Sequence, residues 1–497
     1  MPKFYITTSI PYLNGKPHIG HALEFVQADV LARYNRLLGK DTWFLSGTDE
    51  HGIKISRTAQ ANGKSEKDFT DELVEEFRLI LEKLNISNND FIRTSDKERH
   101  WPGVNKIWLE LVANGDLYKK LYKGLYCAGC EAFLKKSDLI YGKCRIHNMK
   151  DLDVVEEENW FFRLSKYKKE IKKKIESDEF KIIPETRKQE IINLIDDAED
   201  VSFSRPVESL RWGIPVPDDP SQTIYVWADA LANYISALGY ASGDTRFGRF
   251  WPADVHLIGK DIFRFHAMIW PAMLLSAVLP LPRAIYVHGF ITSSGEKMSK
   301  SVGNVIDPFK LIKKYGTDVV RYFLLREIPS GEDGDFSYKK LEERYNGDLA
   351  NGLGNLVQRT VTLIDNNLDG ELIYKPDLIE KEVKNKIDEL FKEYVKNIDN
   401  FLLHEALGRT WELIGFANKY LDDKAPWKVI KHDEGEFLAI MNNTLYVLYN
   451  IAWMLVPFLP ETADKIFTTL GADRDAKTLE NYKFLVQKSG GLFPRLQ

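Results

Sequence analysis

The sequence predicts an α/β protein built on a parallel sheet, interrupted by an insertion of different texture and followed by an all-α bundle. Three observations lead there. Short apolar, β-branched runs at residues 4–10, 41–46, 223–227 and 286–291 read as buried strands, with stretches of helical periodicity between them. All three cysteines, with a histidine, crowd into residues 127–147. From residue 345 onward the apolar residues recur at helical spacing without strand-like alternation.

At 497 residues the chain exceeds what one core organises, and about two to four domains are expected. A net charge of −5 gives no global attraction to nucleic acid, so any such contact must come from local basic surface. The apolar stretches at 268–281 and 445–459 are short or broken by Pro or Asn, and buried helices account for them better than membrane spans. The amino terminus runs straight into the first strand, leaving no room for a secretory signal, and a cytoplasmic location is expected.

The first strand leads into Pro11-Tyr-Leu-Asn-Gly-Lys-Pro-His-Ile-Gly-His21. Leu23, Val26, Val30, Tyr34 and Leu37 then recur at helical spacing until Gly39. A strand that turns into a helix here presents unpaired N–H groups and the positive end of a helix dipole, which suits a phosphate. His18 and His21 flank Gly20, where the missing side chain lets a ligand approach the backbone. The second strand ends in Gly47-Thr-Asp-Glu-His-Gly52, polar residues at the edge where open α/β sheets bind ligands. A helix cap would explain Asp49 but not Glu50 or His51. A helix is predicted over 69–84, and the region to about 117 suits the first half of a nucleotide-binding fold.

The insertion carries Cys127-Ala-Gly-Cys130 and, thirteen residues on, Cys144-Arg-Ile-His147. Two knuckles of two ligands each close a tetrahedral sphere, as structural zinc sites do, and leave no open position for catalysis. An odd cysteine count argues against a disulfide framework. Lys166-Tyr-Lys-Lys-Glu-Ile-Lys-Lys-Lys174 reads as the wet face of a helix with Ile171 and Ile175 buried; contact with a nucleic-acid end is the alternative. The sheet is expected to resume near Ile214-Pro-Val-Pro217, with strand 223–227 crossing into a helix that carries Trp227 and Tyr234. Leu257-Ile-Gly-Lys-Asp-Ile-Phe-Arg-Phe-His266 fits a further strand and turn. Strand 286–291 runs into the loop Glu296-Lys-Met-Ser-Lys-Ser301, bounded by Gly295 and Gly303. In the bundle, helices are predicted over 346–363, 383–402, 406–422 and 437–454.

His18-Ile-Gly-His21 together with Lys297-Met-Ser-Lys-Ser301 carries a resemblance. The chain resembles class I aminoacyl-tRNA synthetases and, within them, the methionyl-tRNA synthetase family, over essentially its full length. The resemblance implies a Rossmann-like catalytic domain in two halves, 1–117 and 214–344, split by a connective peptide at 118–213. That peptide would bind one structural Zn2+ through Cys127, Cys130, Cys144 and His147. An all-α anticodon-binding bundle would occupy 345–497. The insertion is too short for the editing domain of the leucine, isoleucine and valine enzymes. His18, His21, Lys297 and Lys300 would be catalytic, the lysines acting with Mg2+ on the ATP phosphates. ATP would also meet Gly20, Gly259, Asp261 and Ile291. Methionine would lie among Ile10, Tyr12, Trp227, Ala230, Leu231, Tyr234 and His266, its ammonium on Asp49. Asn355, Arg359 and Trp427 would read the CAU anticodon. The implied partners are ATP, L-methionine and tRNA(Met), initiator tRNA included. Nothing follows residue 497 that would make an appended dimerising domain, so a monomer is expected. Ser9, Ala228 and Lys16-Pro17 stand at places where the family varies. A class I synthetase for another amino acid and a non-catalytic tRNA-binding relative are the alternatives; the pocket residues oppose the first, the intact His18, His21, Lys297 and Lys300 the second.

Overall fold

The computed structural model describes the chain except residues 128–131, 135–138, 145–151, 294, 299–303, 475–478, 480–481, 489 and 497; of 132, 133, 153, 155 and 297 it describes the backbone alone. The chain forms two compact units. One comprises Met1–Pro17, Asn35–Glu82 and Ile86–His288, the other His18–Tyr34, Lys83–Asn85 and Gly289–Gln497.

The first unit is built on a six-stranded sheet. Its strands are β1 (Lys3–Thr8), β2 (Asp41–Thr48), β3 (Asp90–Arg93), β4 (Lys181–Ile183), β5 (Val255–Gly259) and β6 (Ala284–His288). Their order is β3-β2-β1-β5-β6-β4, and every pairing is parallel. Parallel strands are covered on both faces, which is why β5 and β6 are buried along their whole length and read as apolar runs. After β1 comes α1 (Ile19–Leu37), whose residues through Tyr34 pack in the second unit. After β2, α2 (Glu66–Lys83) buries Phe69, Leu73, Val74, Phe77, Ile80 and Leu81, the stripe its periodicity predicts. The Ser65 hydroxyl accepts the Asp68 amide and donates to the Asp68 carboxylate, a reciprocal cap that fixes where α2 begins. Then α3 (Trp101–Ala113) lays Val104, Ile107, Trp108 and Leu111 into the core.

Within the predicted insertion, Leu117–Cys127 pairs antiparallel with Asp153–Phe162, flanked by Val201–Ser202 and Ala132–Leu134. Two readings need correction. β4 lies inside 118–213, so the chain returns to the main sheet once before residue 214. The strand expected over 223–227 is Asp219–Ile224, and it pairs antiparallel with Ser204–Pro206 and Pro215–Val216, outside the main sheet. Tyr225 is the extended residue before α4 (Val226–Ala230), which therefore already holds Trp227. One apolar run covered both elements, and periodicity cannot divide a segment buried on all sides.

The second unit contains most of α1 with α5 (Thr317–Arg326), α6 (Asn355–Leu368), α7 (Lys381–Asp399), α8 (Leu403–Lys424), α9 (Glu434–Leu455) and α10 (Pro460–Leu470). The predicted helix 346–363 is two pieces, because Tyr345–Gly354 winds as wide π turns before α6. α10 escaped the sequence reading because Pro460 looks like a stop; at a first turn its missing N–H costs nothing. Among the described residues no helix is long and apolar enough to cross a membrane.

α1 and α5 are joined by a buried charge pair. The Arg321 guanidinium lies 2.8 Å from the Asp29 carboxylate, both side chains at 0% exposure. Arg321 also donates to the carbonyls of Leu84, Pro457 and Phe458 at 2.8–3.1 Å, and Arg33 donates to Asp29 at 2.7 Å. Such a pair survives burial only because its hydrogen-bonding groups are met, and removing one partner strands the other. The substitution R321M should cost about 3–5 kcal/mol, read as a lower urea midpoint with the far-UV spectrum retained.

Candidate active site

In the sheet order, β1 continues to β2 on one side while β5 continues to β6 on the other. The carboxyl edge between β1 and β5 is thus the switch point where open α/β sheets bind ligands. Three loops leave there. The loop after β1 carries Ile10 and Tyr12, and the loop after β2 carries Asp49. They are stitched by the Leu13 amide donating to the Asp49 carbonyl at 3.0 Å and the Asp49 amide donating to Pro11 at 2.9 Å. After β5, Gly259 enters a tight turn at Lys260–Ile262 that holds Asp261. A Cβ at Gly259 would stand 2.9 Å from the Asp261 carboxylate, so a larger residue there would shift that side chain.

Behind Asp49, its neighbours are anchored. Glu50, fully buried, accepts both Nε and Nη2 of Arg93 at 2.8 Å, the Ser95 hydroxyl at 2.6 Å and the Thr48 hydroxyl at 2.7 Å. The Trp212 indole donates to the Glu50 carbonyl. His51 donates through Nδ1 to Asp229 at 2.7 Å, and His100 meets the other Asp229 oxygen at 2.7 Å. Burial alone would raise the Asp229 carboxyl pKa; the two imidazoles outweigh it and hold the group below its ordinary value.

The expected methionine residues gather around α4. The Trp227 ring stacks on Phe265 at 3.8 Å and meets His266 edge-on at 6.2 Å. Ala230, Leu231, Tyr234 and His266 are buried, while Ile10, Tyr12 and Trp227 are half-buried against the same core. His266 sits in a π turn, Phe265–Ile269. Its Nδ1 is 3.0 Å from the Ile262 carbonyl and so carries the hydrogen, leaving Nε2 to accept the Tyr234 hydroxyl at 2.7 Å. Desolvation pushes the His266 pKa down to about 4. Tyr234 is held from behind by His256, stacked at 4.1 Å, and through its carbonyl by the Tyr5 hydroxyl at 2.8 Å.

In the second unit the His18 and His21 rings stack at 3.8 Å. The His18 amide donates to His21 Nδ1 at 3.2 Å, and the Gly20 amide to His18 Nδ1 at 3.1 Å. A Cβ at Gly20 would come within 3.0 Å of the His18 ring, so this glycine seats the imidazole. The Ile19 amide donates to the Ile306 carbonyl at 3.1 Å, tying the start of α1 to the chain just beyond the lysine-containing loop. That loop leaves from Ile291–Ser293, with Ile291 buried, and Lys297 lies in the short strand Glu296–Lys297. The Asp335 carboxylate receives the Gly295 amide and the Thr292 hydroxyl, each at 2.7 Å, at the loop's root. The Lys297 side chain and the whole of Lys300 lie outside the described residues.

Two of the three bundle residues also meet. Asn355 is exposed at the start of α6. One turn on, the Arg359 guanidinium pairs with Asp422 at 2.6 Å and covers the Trp427 ring at 5.3 Å. Trp427 is 39% exposed, in a short turn after Ala425, rather than packed inside. Of the four zinc-site residues, Cys127 and Cys144 are buried in one small cluster with Leu134, separate from the main core. Thiols are zinc donors by type, and among the described residues no group of three or more metal ligands is assembled. Cys130 and His147 lie outside the described residues.

Residues 4–151 and 130–361 match the family described as tRNA synthetases class I (M), and residues 375–491 match an anticodon binding domain of methionyl tRNA ligase. The chain belongs to the methionyl-tRNA synthetases of class I. Curated methionine–tRNA ligases of Thermotoga maritima and Brucella melitensis are each 43% identical to it, over 97% and 96% of this chain and 78% and 93% of theirs. The Mycobacterium tuberculosis methionyl-tRNA synthetase in complex with methionyl-adenylate superposes with a TM-score of 0.93 at 38% identity, covering all of both chains. Its free state gives 0.85 at 35% identity, covering 100% and 99%.

For a methionyl-tRNA synthetase the sequence left several site-supporting residues unread. Asp229, His100, Arg93 and Asp335 carry no local signal, because each acts on a segment distant in the chain. Glu50 and His51 did stand out, as polar residues a helix cap could not explain. The state of His266 has a measurable consequence. Below pH 6.5 the unfolded chain takes up a proton there that the folded chain refuses until about pH 4, so this residue's contribution lowers stability as pH falls through that window. Above it the imidazole stays neutral. The KM for methionine should therefore be flat between about pH 5.5 and 7.5; an inflection near 6.5 that disappears in H266Q would contradict the assignment.

Proposed function

We propose that this synthetase condenses L-methionine with ATP to methionyl-adenylate and pyrophosphate, then transfers the methionyl group to the 3′ adenosine of tRNA(Met), initiator tRNA included. The single observation that carries the reading is the cluster of side chains around α4: a stacked Trp227–Phe265 pair with a hydrogen-bonded Tyr234–His266 pair beside it. A thioether needs a deep, polarisable cavity without charge, and sulfur packs well against aromatic rings. Asp49 receives the ammonium group, and Ile10, Tyr12, Ala230 and Leu231 complete the walls.

The amino acid carboxylate attacks the α-phosphorus of ATP, and pyrophosphate leaves. A carboxylate is already a nucleophile, so no activating base is required; the chain supplies alignment and charge stabilisation. His18, His21 and the backbone around Gly20 stabilise the pentavalent phosphorus. Lys297 and Lys300 neutralise the β- and γ-phosphates alongside the Mg2+ that accompanies ATP. Gly259 and Asp261 face the ribose and Ile291 the adenine. The 2′-hydroxyl of the terminal adenosine then attacks the adenylate. Cys127, Cys130, Cys144 and His147 would hold one Zn2+, which cross-links the insertion and takes no part in chemistry. Asn355, Arg359 and Trp427 read the anticodon by hydrogen bonds and stacking. The site of action is the cytoplasm.

ATP–pyrophosphate exchange, run with methionine and then each other amino acid, tests the reading; exchange supported best by another amino acid would overturn it. K300A should lower the exchange rate by about 10²–10³-fold with little change in methionine binding. W427A should raise the KM for tRNA(Met) by about ten- to a hundredfold, one stacked base lost, and leave pyrophosphate exchange untouched.

A further inference from the structure

The mechanism above makes no use of Asp229, yet this carboxylate is fully buried at the centre of the site-bearing helix. Both its oxygens are engaged, one by His51 Nδ1 and the other by His100 Nε2, each at 2.7 Å. His100 is braced in turn by the Ser236 hydroxyl at 2.8 Å. All three charged or chargeable side chains are at 3% exposure or less. The His51 ring is boxed edge-on by Trp101 at 6.1 Å and Trp212 at 5.5 Å, so its direction is fixed.

The chain positions of these groups are what matter. Asp229 lies on α4 between Trp227 and Ala230, two of the residues assigned above to the methionine side chain. His51 lies two residues after Asp49 in the loop beyond β2, and the Gly52 amide donates to the Trp212 carbonyl at 3.2 Å on the same stretch. One buried hydrogen bond therefore connects the loop that carries Asp49 to the helix that carries Trp227 and Ala230. Apolar packing could join the same elements at no desolvation cost, but it would slide; a hydrogen bond to a buried carboxylate defines a distance and a direction.

We propose that Asp229 is a positioning residue for methionine, acting through His51 to set the spacing between Asp49 and the α4 pocket. The proposal rests on the reading that Asp49 takes the ammonium group. A bound amino acid must satisfy both ends at once, so a shift of an ångström in that spacing weakens methionine while leaving ATP alone.

The test is pyrophosphate exchange with purified full-length variants whose thermal midpoints are recorded alongside. D229N, which keeps the shape, should raise the KM for methionine by about ten- to a hundredfold, with kcat and the KM for ATP within about threefold. H51L should do the same, and H51N, whose amide can stand where Nδ1 stood, should recover most of the loss. In a double-mutant cycle, D49N/D229N should be no worse for methionine than D49N alone, because the spacing no longer matters once the carboxylate is gone. A folded D229N with an unchanged methionine KM overturns the proposal, as does a cycle in which the two effects multiply. Should D229N fail to fold, the H51L and H51N pair decides by the same criterion. If D49N itself leaves the methionine KM unchanged, the ammonium reading falls and the proposal falls with it; an effect in D49N without one in D229N removes the proposal alone.

Discussion

The carboxyl edge of the parallel sheet, where β1 and β5 lie side by side and their onward connections part, is the constraint on which the first unit depends. Because all six strands point the same way, one register delivers the loops after β1, β2 and β5 to a common edge. Ile10, Tyr12, Asp49, Gly259 and Asp261 are neighbours for that reason and for no local one. A parallel sheet must be covered on both faces, so the edge is the place where polar chemistry can be exposed without breaking the core.

Each unit also carries a buried carboxylate, hydrogen-bonded on both sides, at a junction of distant segments. In the first, Asp229 with His51 and His100 joins residues far apart in the chain; in the second, Arg321 with Asp29 joins α1 to α5 and to the turn before α10. Burying charge gains little stability against well-packed apolar side chains. What it supplies is direction: an arginine with acceptors on three segments admits a single arrangement of them. The helix that starts just after His18 and carries His21 is fixed in its unit by this pair and by the backbone bond from Ile19 to Ile306.

The side-chain cluster around α4 shows the opposite treatment of polarity. Tyr234 and His266 satisfy one another and the Ile262 carbonyl, so two polar side chains present an uncharged surface to their surroundings. Desolvation keeps the imidazole neutral, and the stacked Trp227 and Phe265 supply polarisable area. The combination suits a long, weakly polar side chain and penalises a charged one.

By itself the sequence determined the class of fold, the limits of α7, α8 and α9 to within a few residues, and the motifs around His18, Asp49, Lys297 and Cys127. These are properties of neighbouring residues: periodicity, turn chemistry and spacing along one loop. It carried the strand before Trp227 too far, to 227 where it ends at Ile224, and missed α10; an apolar run or a proline has two local readings, and packing chooses between them. Only the tertiary structure decided that Lys181–Ile183 rejoins the main sheet, that Arg359 covers Trp427, and that Asp229 faces His51. Those pairings link positions tens to hundreds of residues apart, and no local pattern encodes a partner; the choice is made when the segments compete for one core and the buried polar groups must each find a mate.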